Sequence, residues 1–280
     1  GTDELDTIAL NASLPTFIVK LWNKHYGLEQ TLLNAKALLE PSTLCGRVNP
    51  LKIDPDEIFY DPNVRRGVLS EYAFYTKDNL VQRDWFTTGE CWLQDEASQS
   101  VSDFLEVEDH MNVLDACSAP GTKTAATAAL MHNTGHIDAI ELHEVRKQLI
   151  DKQLIHLGMT NVSTYTMDAC FAKEHFKHDF YDRILVDVPC SGLGVLRRKA
   201  DIKLRVNPEQ LDELQALQAS ILEGVYECLK VGGLMVYSTC TLNRDESEAI
   251  MQWLIETYQD AVEFLPLGDL FPEAERALTP

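Results

Sequence analysis

The rhythm of apolar and polar positions changes near Gly89. Upstream, Leu14, Phe17, Ile18 and Leu21 recur at helical spacing, with Pro15 suited to a first turn and Gly27 to a stop. A second helical run, Leu28 to Leu39, follows at once. Residues 41–61 are rich in Pro, Asn and Asp around short apolar pieces such as Leu51-Lys-Ile53, which predicts strands and turns. Residues 1–88 therefore read as a small α+β module.

Downstream, short apolar runs alternate with helical periodicity. Buried strands are predicted at Met111–Cys117, His136–Glu141, Val162–Thr166, Arg183–Asp187 and Leu234–Ser238. Helices are predicted at Thr122–Met131 and Val145–Leu157. A longer one opens at Asn207-Pro208 and carries Leu211, Leu214, Leu217, Ile221, Val225 and Leu229 on one face. Gly232-Gly233 is expected to end it. A last helix, capped near Asn243, runs from Asp245 to about Tyr258. Strands alternating with helices predict an α/β fold over residues 89–280, a doubly wound and mostly parallel sheet with helices on both faces.

Composition narrows the class. The chain has 280 residues, 45% apolar and 24% charged, which suits a folded domain rather than a disordered chain. No apolar run approaches the roughly 20 residues that span a bilayer. The start, Gly1-Thr-Asp-Glu, is acidic and lacks the pattern of a signal peptide, so a cytoplasmic monomer away from membranes is expected. Seven cysteines with no Cys-x-x-Cys pair predict neither a disulfide framework nor a metal site.

The net charge of -20 argues against gripping nucleic acid through overall charge. A local exception stands out. Arg197, Arg198, Lys199, Lys203 and Arg205 place five cations within nine positions. They form either an anion-contact surface or a solvated helix end.

In doubly wound sheets ligands bind outside the carboxyl ends of the strands. The first strand is followed by Cys117-Ser-Ala-Pro-Gly-Thr-Lys123, small residues that open directly into a helix. Glu141, Asp168 and Asp187 follow the next three strands. Glu141 suits a ribose diol. Neither Gly-x-Gly-x-x-Gly nor a P-loop is present, and acidic ends would repel a pyrophosphate. A cationic, phosphate-free nucleoside such as S-adenosylmethionine fits better than a dinucleotide. Taken singly, each acid could equally cap a turn.

Two cysteines occupy the last two strand ends, in Asp187-Val-Pro-Cys190-Ser-Gly and Ser238-Thr-Cys240-Thr. Neighbouring strands would bring them face to face. Together with Leu114-Asp-Ala-Cys-Ser-Ala-Pro-Gly-Thr-Lys123, Cys91-Trp-Leu-Gln-Asp-Glu-Ala-Ser98, Glu246 and Glu248, these motifs resemble the RNA cytosine-C5 methyltransferases. The likeness is greatest to the bacterial small-subunit ribosomal RNA branch, the Sun or Fmu type. It covers residues 89–258 firmly and the first 88 loosely, where that family has an RNA-binding module.

The resemblance implies a role for each residue. Cys117, Ser118, Ala119, Pro120, Gly121, Thr122 and Lys123 would wrap S-adenosylmethionine. Glu141 would take the ribose and Asp168 the adenine edge, with Asp187 between cofactor and target base. Cys240 would be the nucleophile and Cys190 would assist release. A thiolate adding to cytosine C6 makes C5 nucleophilic toward a methyl sulfonium, and an acid at N3, such as a protonated Asp187, stabilises the charge that develops. Cys240 needs help to ionise, for which Lys123 is a candidate. The target must be unstacked from RNA, whose phosphates the run 197–205 could hold.

The chain departs from the family pattern at Thr122, where a second Gly is usual. It also ends with only Ala261–Leu265 as a candidate last strand, so residues 89–280 are expected to lack the final strand. Other readings are the same chemistry on tRNA, a methyltransferase of this fold acting on protein, or an RNA-binding assembly factor without catalysis. A cysteine hydrolase fits least, because no histidine accompanies either thiol by motif.

Overall fold

The computed structural model describes residues 3–41 and 43–265. Two helices open it, α1 (Glu4–Asn11) and α2 (Thr16–Ala37). Next come β1 (Leu44–Val48), α3 (Pro55–Phe59), β2 (Val64–Arg66), β3 (Ala73–Thr76), α4 (Asp84–Thr87) and β4 (Cys91–Leu93). After α5 (Glu96–Asp103) the alternation begins: β5 (Asn112–Asp115), α6 (Thr122–Leu130), β6 (His136–Glu141), α7 (Glu144–Leu157) and β7 (Val162–Thr166). It continues through α8 (Ala172–His175), β8 (Tyr181–Asp187), α9 (Ile202–Arg205), α10 (Pro208–Tyr226), β9 (Leu229–Ser238) and α11 (Glu248–Tyr258). No helix among the described residues is long and apolar enough to cross a membrane.

The larger sheet is parallel throughout, in the order β7-β6-β5-β8-β9. Successive side chains along a strand point to opposite faces. Val113 and Leu185 accordingly pack with α6 and α7, against Ala125, Ala129, Ile150 and Leu154. Their neighbours Leu114, Ile184 and Val186 pack on the other face, against Ile221, Leu222 and Val225 of α10 and Ile250 of α11. The chain order reverses between β6-β5 and β8-β9, so the carboxyl ends of β5, β6, β7 and β8 open on one crevice.

A second, antiparallel sheet has the order β2-β3-β1-β4 and takes its fourth strand from beyond residue 88. Gly46 lies under the Phe74 ring, where a Cβ would approach Phe74 Cζ to 2.3 Å. The first helices pack elsewhere. Ile18, Val19 and Trp22 share a core cluster with Leu193 and Leu196, from the segment just after Cys190.

Several boundaries differ from the periodicity. The two helical runs expected over residues 14–39 are not among them: α2 consists of two helices that meet at Gly27, whose φ of 79° and ψ of 171° leave the helical region as the expected stop requires. Leu51-Lys-Ile53 is a turn rather than a strand. Gly232-Gly233 does not end α10, which stops at Tyr226. Both glycines lie inside β9, where pairing with β8 shifts register and Gly232 has a φ of 77°. Leu229 is thereby a strand residue opposite Tyr181. Ala261–Leu265, the candidate for a last strand, forms no strand, and residues 266–280 lie outside the described residues.

Candidate active site

The loop after β5 shows why small residues stand there. Ser118 donates to the Ile140 carbonyl through both its N–H and its hydroxyl, at 2.8 Å each, which turns the chain across β6. Gly121 caps α6 with a φ of +101°, a conformation that side chains rarely adopt. Beneath the loop lies Asp115, one of the residues missed by sequence reasoning. It is buried, its Oδ2 accepts the Thr124 hydroxyl at 2.7 Å, and its Oδ1 has no partner. Burial pushes its carboxyl up to about 6. The same burial raises the Cys117 thiol far above its ordinary value, so that side chain is a spacer rather than a nucleophile.

The other acidic strand ends have distinct surroundings. Glu141 is buried at the end of β6. Its Oε1 accepts the His143 N–H at 2.9 Å and lies 3.5 Å from Arg146, while Oε2 accepts no hydrogen bond among the described residues. Asp168 caps a turn by accepting the Cys170 N–H at 2.9 Å. Asp187 ends β8, opposite Ser238 of β9. Its Oδ2 accepts from Lys123 Nζ at 2.6 Å and its Oδ1 from the Ser238 hydroxyl at 2.7 Å. With both oxygens accepting, Asp187 sits in an ion pair with Lys123.

Adjacency of β8 and β9 brings the two cysteines together. Cys190 Sγ and Cys240 Sγ are 3.2 Å apart, and the Cys240 N–H points at Cys190 Sγ from 3.3 Å. Cys240 is exposed and Cys190 partly covered. The hydrogen bond from Cys190 lowers the Cys240 thiol to about 7, assisted by Lys123 and Lys199 and opposed by burial and Asp187. The same bond, with burial, holds Cys190 far up and protonated. Of the two thiols, Cys240 is the one whose ionisation the pair favours.

A cavity of about 640 Å³ lies over this pair. Its cationic wall is Lys199 and Arg205; its far wall, from α9 and α10, includes Ile202, Glu213, Leu214 and Leu217. That wall went unread in the sequence, because Leu214 and Leu217 look like core positions of an amphipathic helix. The basic run does not act as one unit. Arg198 pairs with Asp95 and Arg205 with Asp201, whereas Arg197, Lys199 and Lys203 make no ion pair among the described residues. No cluster of His, Cys, Asp or Glu among the described residues is arranged to hold a metal.

A parallel sheet of this order, with a small-residue loop after β5 and acidic groups at the next strand ends, defines an S-adenosylmethionine-dependent methyltransferase fold. The chain belongs to the family described as 16S rRNA methyltransferase RsmB/F, whose model matches residues 102–268. It is 37% identical over 280 residues to a probable ribosomal RNA small subunit methyltransferase B of Bacillus subtilis, covering 98% of this chain and 63% of that protein. It is 44% identical over 176 residues to a ribosomal RNA small subunit methyltransferase F of Escherichia coli O1:K1 / APEC, covering 63% of this chain and 36% of that protein. The chain thus spans less than two thirds of the length of either relative. Among solved structures, a methyltransferase homolog protein from Pyrococcus horikoshii superposes with a TM-score of 0.82 at 28% identity, over 95% of this chain and 86% of that one.

Proposed function

We propose that this chain methylates C5 of a cytosine in small-subunit ribosomal RNA through a covalent bond between Cys240 and cytosine C6. The observation that carries this reading is the thiol pair, with the Cys190 and Cys240 sulfurs 3.2 Å apart beneath an open cavity.

The cofactor edge fits S-adenosylmethionine. Asp115 Oδ1 is a buried acceptor without a partner, Glu141 keeps one oxygen unbonded, and Gly121 turns the backbone into the N-terminus of α6. The loop from Cys117 to Lys123, with Ser118, Ala119, Pro120 and Thr122, would hold the methionine and ribose parts. Glu141 would accept from the ribose hydroxyls, and Asp168 would border the adenine. The bound cofactor supplies an electrophilic methyl group next to a cationic sulfur.

The protein's own groups do the rest. The Cys240 thiolate adds to C6, and electron density moves to C5. Charge developing at N3 is met by the Lys123–Asp187 pair, with Lys123 the source of the proton. After transfer, the C5 proton passes to water in the open cavity and the proton on N3 returns to Lys123. The C5–C6 double bond re-forms and the Cys240–C6 bond breaks, with the Cys190 thiol assisting by hydrogen-bonding to the departing Cys240 thiolate. Arg197, Lys199 and Lys203 would contact phosphates of RNA, whose target base enters the cavity unstacked.

We read residues 1–88 as the RNA-contacting module and residues 89–280 as the catalytic domain, working on ribosomal RNA in the cytoplasm. The test is to incubate the chain with labelled S-adenosylmethionine and small-subunit RNA, digest to nucleosides, and separate them. Labelled 5-methylcytidine is expected. Label in any other nucleoside, or none on RNA, would overturn the reading.

A further inference from the structure

A buried polar cluster lies behind the cysteines, and of its members Ser191 also lines the cavity. Glu246 is fully buried. Its Oε2 accepts the Ser191 N–H at 2.8 Å and Gln218 Nε2 at 3.1 Å. Its Oε1 accepts the Ser191 hydroxyl at 2.5 Å and Asn243 Nδ2 at 3.1 Å. Ser191 follows Cys190 directly, and Asn243 closes the loop that holds Cys240. Ser191 Oγ also lies 2.7 Å from Thr241 Oγ1, and the Tyr237 hydroxyl donates to the Glu246 carbonyl at 2.7 Å. A carboxylate removed from water is costly unless its lone pairs are met. Four donors meet this one, and three of them come from the two cysteine loops.

We infer that Glu246 is a positioning residue for the thiol pair: by gathering Ser191 and Asn243 onto one carboxylate, it holds the Pro-Cys and Thr-Cys loops at the separation that lets Cys190 donate to Cys240. The inference rests on the role proposed for Cys240. Glutamine has the same shape but puts an NH₂ where a carboxylate oxygen was. If its amide oxygen keeps Ser191 N–H and Gln218, its NH₂ faces the NH₂ of Asn243. Asn243 cannot simply turn over, because its Oδ1 already accepts the Asp245 N–H at 3.1 Å and lies 3.1 Å from His25 Nε2. The two loops part, the sulfur–sulfur contact lengthens, and Cys240 loses its donor.

The experiment is the pH profile of Cys240 alkylation by iodoacetamide, read by peptide mass spectrometry, with neither RNA nor cofactor present. In the wild type, Cys240 should label ahead of Cys190, with a midpoint below the ~8.5 of an ordinary thiol. Glu246→Gln should raise that midpoint by about one pH unit and slow labelling about tenfold at neutral pH. Ser191→Ala keeps the carboxylate and its three N–H donors, and should shift the profile the same way by less. Unmoved profiles in folded variants would overturn the role of Glu246, even with a lowered melting temperature. If Glu246→Gln does not fold, the Ser191→Ala profile decides alone. An ordinary profile in the wild type would instead overturn the nucleophile reading, and this one with it.

Discussion

Cys190 and Cys240 carry the same side chain, and one hydrogen bond gives them different work. Sulfur is a weak donor, so the bond matters because it is short and backed by Lys123 and Lys199. Cys240→Ala is expected to abolish methyl transfer and to form no adduct. Cys190→Ala should still attack the base but release it slowly, leaving a protein–RNA complex that survives denaturing electrophoresis. A trapped complex in the Cys240 variant instead would reverse the two roles. The pH dependence follows from the same bond. The reactive form is the thiolate, so kcat/KM should rise with pH through about 7 and be lost below it. In an alkylation assay of Cys190→Ala, the midpoint should move upward, because the donor that favours the thiolate is gone.

At the scale of elements, the site is made by loops that leave parallel strands and are tied to one another across the crevice. Gly194 shows how tight the tie is. Its N–H donates to the Cys240 carbonyl at 3.0 Å, and a Cβ there would meet the same oxygen at 2.9 Å. Gly194→Ala should therefore push the Thr-Cys loop away and lower kcat at least several-fold, while calorimetric affinity for S-adenosylmethionine stays unchanged. Parallel loss of cofactor affinity would mean that the whole crevice had shifted. The α10 helix is built to stand firm as the cavity's far wall. Asn207 and Gln210 form a reciprocal capping box at its start, and Pro208 occupies the first turn.

Across the whole molecule, the proposed contact with RNA would fall on a restricted area of an acidic chain. Arg197, Lys199 and Lys203, unpaired among the described residues, lie on a segment braced from below by Trp22 and its helix, so the N-terminal helices and the cysteine loop share one core. The double change Arg197→Ala with Lys203→Ala should weaken RNA binding and flatten its salt dependence by about one logarithmic unit per cation removed. An unchanged salt slope would show the run to be a solvated surface. Arg198→Ala should behave differently. That arginine already pairs with Asp95 at the start of α5, so its loss should lower the unfolding midpoint in urea more than it alters the salt slope.

The alternation of apolar and polar positions was enough to find the five parallel strands; β5, β6 and β8 are largely buried and read as short apolar runs, whereas β7 and β9 are only half-buried and β9 starts earlier than its apolar run. It also located the loop after β5 and the acids at the strand ends, since function in such sheets gathers at the carboxyl ends. The paired motifs around Cys190 and Cys240 were likewise legible, and so was their meeting, which needs only that β8 and β9 be neighbours. What the sequence could not decide was which groups have partners. Asp187 reads as a free acid until Lys123 and Ser238 are seen on its two oxygens. Arg198 reads as a free cation until Asp95, on a different element, takes it up. Glu246 reads as one acid among many, yet folding buries it and turns three chain segments toward it. Periodicity reports which face of an element is apolar. Hydrogen bonds between residues 50 or more positions apart depend on how elements stack, and only the tertiary structure settles that.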